Sequence, residues 1–153
     1  MNDQRGEVWR GVGIITGASS GMGEAIARKL APNAKGLVIA ARRFDRIDAL
    51  AKELGEHVLP VRCDVREETD VRRLAQTAIE HFGQIDVIIN NAGIAPMASM
   101  LRCRVDDWEN TIDTNIKGVL YGIAAVLPHM LERGTGRIIT ITSEAARKIF
   151  PGT

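Results

Sequence analysis

Eight residues near the start of the chain carry its most distinctive chemistry. Thr16-Gly17-Ala18-Ser19-Ser20-Gly21-Met22-Gly23 follow a short apolar run, Val12 to Ile15, and open an amphipathic run, Glu24 to Leu30. A strand that turns through three glycines into a helix is a device for holding phosphate. Gly17 permits the tight turn, Gly21 lets the backbone approach a pyrophosphate, and Gly23 lets the helix pack close to the strand. The helix N-terminus, with Met22 in its first turn, offers free N–H groups and a partial positive charge to the anion. Ser19 and Ser20 can add hydroxyl donors. A glycine-rich turn that merely joins a buried strand to a helix is the alternative. A second short motif, Asn90-Asn91-Ala92-Gly93, closes the apolar run Ile85 to Ile89.

The elements that must position these residues are legible in the hydrophobic pattern. Strands are predicted at residues 12–16, 37–41, 58–62, 85–90 and 137–142, all short and rich in Val, Ile and Leu, as strands buried on both faces are. Helices are predicted at 21–31, 44–55, 67–82 and 105–133. In the third, Val71, Leu74, Ala75, Ala78, Ile79 and Phe82 recur at helical spacing. The fourth contains Gly118, Gly122 and Pro128 and is expected to bend or divide. Repeated strand–helix units imply an α/β fold with a parallel, doubly wound sheet and right-handed crossovers. No repeat or linker interrupts the 153 residues, which read as a single domain.

Composition removes several classes of function. The chain is 45% hydrophobic and 25% charged, with a net charge of +1, so neither nucleic acid nor a membrane surface is an expected partner. No apolar run is long enough to span a bilayer, and the polar stretch Met1 to Arg10 lacks the core of a signal peptide, which points to the cytoplasm. Cys63 and Cys103 form no C-x-x-C pair, and His57, His81 and His129 have no ligand spacing, so no metal site is expected.

The spacing G-x-x-x-G-x-G differs from the commoner G-x-G-x-x-G fingerprint. It resembles the short-chain dehydrogenase/reductase family, which carries T-G-x-x-x-G-x-G at this place, and Asn90-Asn91-Ala92-Gly93 looks like the family's N-N-A-G after its fourth strand. The resemblance covers about residue 9 to 153. It implies a Rossmann-type sheet with five strands in the order 3-2-1-4-5, the family's C-terminal strands being missing. It also implies hydride transfer between a nicotinamide cofactor and the carbon of a small carbonyl or alcohol substrate. The helix region 105–133 corresponds to one the family uses for subunit contact, which implies a homo-oligomer.

The second strand ends Val38-Ile39-Ala40-Ala41-Arg42-Arg43. A site that prefers NAD(H) usually places an acidic residue here to bond the ribose hydroxyls; the equivalent position is Ala41. Arg42 and Arg43 follow, and a guanidinium pairs with a 2′-phosphate through charge-assisted bonds. The expectation is NADP(H) over NAD(H), with Arg42 the better candidate. Solvated arginines that pair with Asp45 or Asp48 are the alternative. The resemblance further implies that Asp64 faces the adenine amino group with the Val65 amide nearby, although Asp64 could also cap the next helix. Asn91, Ala92 and Gly93 should pass beneath the nicotinamide side, whereas Asn90 braces the sheet.

Four residues do the family's proton and charge work: an asparagine, a serine, a tyrosine and a lysine. Asn115, in Asp113-Thr114-Asn115-Ile116-Lys117-Gly118, matches the asparagine, which positions a water. Ser143, after Ile139-Thr140-Ile141-Thr142, matches the serine that bonds the substrate oxygen, although the chain has Ser143-Glu144-Ala145-Ala146 where the family often has S-x-A-G. The tyrosine is expected about thirteen residues beyond Ser143 and the lysine four after it, one helical turn on. Tyr121 does not fit Y-x-x-x-K, because its i+4 neighbour is Ala125; it reads as packing. The chain thus holds half of the set, and is expected to be part of an enzyme of about 250 residues by family analogy; a non-catalytic dinucleotide-binding remnant is the alternative. Its fifth strand would otherwise be an exposed, aggregation-prone edge. Pro96, Met97 and the stretch 144–150 could line one side of a modestly apolar substrate pocket.

Overall fold

A computed structural model describes residues 9–144. Its elements are β1 (Val12–Thr16), α1 (Gly21–Leu30), β2 (Gly36–Ala41), α2 (Phe44–Leu54), β3 (Val58–Arg62), α3 (Glu68–Phe82), β4 (Val87–Asn90), α4 (Val105–Ile112), a π-helical segment (Asp113–Lys117), α5 (Gly118–Arg133) and β5 (Arg137–Thr140). The strands form one parallel sheet in the order β3-β2-β1-β4-β5. The expected order is therefore found, and each predicted strand is present within a few residues of its expected bounds.

The alternation of side chains along each strand divides the core in two. Ile14, Val38 and Ile88 pack with Val71, Leu74 and Ala78 of α3 and Val126 and Met130 of α5. Their sequence neighbours Ile15, Leu37, Ile39 and Ile89 face the other way, against Ala27 of α1 and Ile47, Leu50 and Ala51 of α2. Every residue of β1 and β2 is buried, which explains why these strands read as continuous apolar runs rather than alternating ones. Each large aliphatic side chain so buried contributes about 1.5–3 kcal/mol. β3 and β5 are the edges. Pro60 sits within β3, where a missing N–H is tolerated. β5 is the more open edge, with Ile139 43% exposed.

The predicted helix 105–133 is divided, but not at its proline. α5 runs through Pro128. The break lies at Asp113–Lys117, where the Gly118 N–H bonds the Asp113 carbonyl five residues back. Gly118 and Gly122 are contact points instead of breakers. A Cβ on Gly118 would meet Val65 Cγ2 at 2.9 Å, and one on Gly122 would overlap Asn90 Oδ1. Along this helical stretch Val105, Trp108, Ile112, Ile116, Leu120, Leu127 and Leu131 remain exposed. Among the described residues no helix is long and apolar enough to cross a membrane.

At the amino end of the sheet, Asp86 ties β1, β4 and α5 together. Its carboxylate accepts from the Val12 N–H at 2.7 Å, Gln84 Nε2 at 2.6 Å and Arg133 Nη2 at 3.0 Å. Burial alone would push its pKa up, but these three donors outweigh burial and hold the carboxyl below the usual carboxylate range. A carboxyl whose folded pKa is depressed contributes stability above its unfolded pKa of about 4, and that contribution is lost as pH falls through the folded value. Asp86→Asn should therefore cost about 1–3 kcal/mol at neutral pH. In urea titrations, the gap from the unmodified protein should narrow as the pH is lowered below 4. A gap that stays constant with pH would show that the charge of Asp86 contributes nothing.

Candidate functional site: a cleft over the carboxyl ends of the strands

The chain leaves β1 for β2 on one side, and β4 flanks β1 on the other. Open α/β sheets bind ligands at such a reversal, outside the carboxyl ends of the strands. A cleft of about 400 Å³ lies there, and it gathers residues from four separate loops.

The turn after β1 forms the first wall. Gly17 (φ 68°) and Gly21 (φ 60°) adopt left-handed conformations that glycine alone takes without strain. A Cβ on Gly17 would lie 2.7 Å from Ala92 Cα, so the residue serves close approach as well as the turn. Gly21 has nothing within 4 Å of where its Cβ would be, which leaves its backbone open to a ligand. A Cβ on Gly23 would overlap the Gly17 carbonyl and the Asn91 amide, the close helix–strand packing expected of it. Gly17, Ser19, Ser20 and Met22 line the cleft; Gly21 and Gly23 are not among its lining residues.

β2 delivers charge. Arg42 and Arg43 both line the cleft beside Ala41. Arg43 donates from Nε to Ser19 Oγ at 3.2 Å, and from Nη2 to Ser19 Oγ at 2.9 Å and Ser20 Oγ at 2.7 Å. Asp48, one of the alternative partners for these arginines, pairs with Lys52 at 2.7 Å. The Arg43 guanidinium thus faces the glycine turn, while Arg42 lines the cleft and also borders the neighbouring hollow.

β3 delivers Cys63, Asp64 and Val65 to the same cleft. The residue that caps α3 is Glu67, without a side-chain bond, so Asp64 is not the helix cap. Instead Asp64 Oδ1 accepts the Arg66 N–H at 3.1 Å, and the Arg66 side chain grips both oxygens, with Nη2 2.7 Å from Oδ2. Arg66 holds the Asp64 carboxyl below the usual carboxylate range against the opposing effect of partial burial, and Arg42 adds to the effect. Cys63 is buried, and desolvation, with Asp70 and Asp64 nearby, pushes its thiol up to about 12.

The loop after β4 closes the cleft through Asn91, Ala92, Gly93 and Ile94. Thr16 Oγ1 accepts the N–H groups of both Asn91 and Ala92 at 3.1 Å, while Asn91 Nδ2 donates to the Thr16 carbonyl at 2.9 Å. The two sequence motifs are therefore stitched to each other. Asn90 is 3% exposed and faces Gly122, but its side-chain amide makes no hydrogen bond, so the bracing role expected of it is not seen in its contacts.

Asn115 projects from the π segment onto the same loop. Its Oδ1 accepts the Ile94 N–H at 2.9 Å, and its Nδ2 donates to the Ile94 carbonyl at 2.8 Å. A π turn shifts the helical register by one residue, and such turns are frequent at functional sites. The preceding residue, Thr114, lines the cleft. Ser143 is exposed just beyond β5 and is not among the lining residues. Pro96 borders a neighbouring hollow, Met97 is 76% exposed, and residues 145–150 lie outside the described residues. Tyr121 packs on the core beside Ala125. Sequence reasoning missed Arg66, Ile94, Thr114 and the lining role of Cys63. The signal available for each was its nearness in the chain to a residue already singled out: Cys63 and Arg66 to Asp64, Ile94 to Gly93, and Thr114 to Asn115.

Comparison with known proteins agrees with this geometry. The family described as short chain dehydrogenase matches residues 12–153. The chain is 44% identical over 141 residues to an uncharacterized oxidoreductase of Staphylococcus saprophyticus, covering 92% of this chain and 57% of the relative. It is 41% identical over 140 residues to the NADP-dependent 3-hydroxy acid dehydrogenase YdfG of Salmonella typhi, covering 91% and 56%. The closed form of a serine dehydrogenase complexed with NADP+ superposes with a TM-score of 0.86 at 36% identity, covering 92% of this chain and 57% of that one. The chain thus spans a little over half the length of the curated relatives it matches. Two motifs meeting at one cleft on a sheet of this order, and a match over nearly all of the chain, place the protein in the short-chain dehydrogenase family.

Proposed function

We propose that the cleft binds NADP(H), and that the protein serves hydride transfer between the nicotinamide and a carbonyl or alcohol carbon of a small molecule in the cytoplasm. The observation that carries the reading is the pair Arg42 and Arg43 lining the cleft beside Ala41, with Arg43 bonded to the serines of the glycine turn. This is positive charge where a carboxylate would repel a 2′-phosphate. Ser19, Ser20 and the backbone at Gly21 suit the pyrophosphate, Asp64 and Val65 the adenine, and Asn91 to Gly93 the nicotinamide side.

The bound cofactor supplies or accepts the hydride. The protein's own contribution is orientation and charge control. In this reading the Ser143 hydroxyl bonds the substrate oxygen. Asn115, by clamping both polar groups of the Ile94 backbone, holds the Asn91–Ile94 loop at the height the nicotinamide requires. The 153 residues hold no tyrosine followed four residues later by a lysine, so the group that exchanges the proton is not among them. We assign the subunit contact of an oligomer to the exposed apolar stretch of α4 and α5.

Three outcomes are expected. Arg42→Asp should weaken NADPH binding about 10- to 100-fold, as loss of a charged hydrogen bond plus repulsion requires, with little change for NADH; calorimetry reads both, and unaltered NADPH affinity would sink the assignment. Asn115→Ala should speed hydrogen exchange at the Ile94 amide while amides of β1 stay protected. If Ile94 exchanges as before, the clamp has no hold on the loop. The 153-residue polypeptide alone should oxidise NADPH in the presence of small aldehydes and ketones no faster than background, and robust turnover would place the proton-transferring group within these residues.

A further inference from the structure

Resting on the reading that Asp64 meets the adenine, we propose that Arg66 is the positioning residue that gives this site its selectivity for adenine over other bases. Arg66 does not line the main cleft; it borders the adjoining hollow with Asn110 and Pro96. It reaches Asp64 from behind by three separate donors. The Arg66 N–H and Nε lie 3.1 Å from Oδ1, and Nε and Nη2 lie 3.1 and 2.7 Å from Oδ2. The three donors make four contacts, two on each oxygen, because Nε is shared between them. The planar fork therefore fixes the plane of the carboxylate, and a ligand meets an acceptor that cannot turn away. The Asp64 backbone is pinned as well, its N–H donating to Asp70 Oδ2 at 3.0 Å.

The remaining arm of the guanidinium, Nη1, donates to Asn110 Oδ1 on α4 at 2.9 Å. Asp64, Arg66 and Asn110 thus form one chain of bonds from the base end of the cleft to the helix that leads into the π segment. An adenine presents an N–H donor at its amino group. A hypoxanthine presents a carbonyl oxygen at the same place, which a fixed carboxylate repels. If Asp64 could swing freely it would avoid that oxygen, so discrimination depends on what holds Asp64.

The test is calorimetric binding of NADPH and of the reduced hypoxanthine analogue of the same dinucleotide phosphate. The unmodified protein should prefer NADPH about tenfold. In Arg66→Gln the preference should collapse to about two- to threefold, with affinity for the hypoxanthine analogue preserved, which also reports that the cleft is folded. Arg66→Lys should not rescue it, because a point charge lacks the fork, and Asn110→Ala should give an intermediate loss. Undiminished preference in Arg66→Gln overturns the inference, and so does equal weakening of both nucleotides, which marks a merely structural role. An unmodified protein that binds both nucleotides equally, or neither, overturns the placement of adenine at Asp64 and the inference with it.

Discussion

One hydroxyl holds the site together. Thr16 ends β1, and its Oγ1 takes the backbone N–H groups of Asn91 and Ala92 at the end of β4. The Asn91 amide returns the bond to the Thr16 carbonyl. These residues are 75 positions apart in the chain, and only the parallel pairing of β1 with β4 brings them together. Without the stitch, the glycine turn and the second loop would each be a mobile connection above a buried sheet. With it, Gly17 packs on Ala92 so closely that no side chain fits between them. The cleft is therefore bounded by backbone on two sides, a surface with few rotamers to order on binding.

Around that point, the structure divides its work by strand end. β1 and β4 provide backbone walls, and β2 and β3 provide charge, positive at Arg42 and Arg43 and negative at Asp64. The opposite end of the sheet contributes no residue to this cleft; its half-buried acid, Asp86, is engaged with Val12, Gln84 and Arg133. Stability and recognition are thus segregated to the two ends of the same strands.

The fold was largely legible because β1, β2 and β4 are buried on both faces, so their apolar runs stand out from the amphipathic helices between them. The errors are local and have physical causes. The helix 105–133 is expected to bend or divide on account of Gly118, Gly122 and Pro128; it does divide, but at the π segment Asp113–Lys117, which those residue types do not mark. Gly118 and Gly122 suggested weakness, whereas each makes room for a neighbour, Val65 and Asn90. The glycine turn was legible because its spacing expresses local backbone geometry, the arginines because of their charge at the end of β2, and Asp64 only through the family resemblance. Arg66 was not, since its role depends on a side chain folding back two residues and on Asn110 arriving from a distant helix.

Cys63 has a consequence of a different kind. It borders the cleft, yet its thiol is buried and raised to about 12. Peroxides and disulfides attack thiolates, and at neutral pH almost none is present here. The cleft therefore carries a sulfur without carrying an oxidant sensor. The raised, buried thiol leaves this wall of the cleft a poor target for the peroxides that modify thiolates.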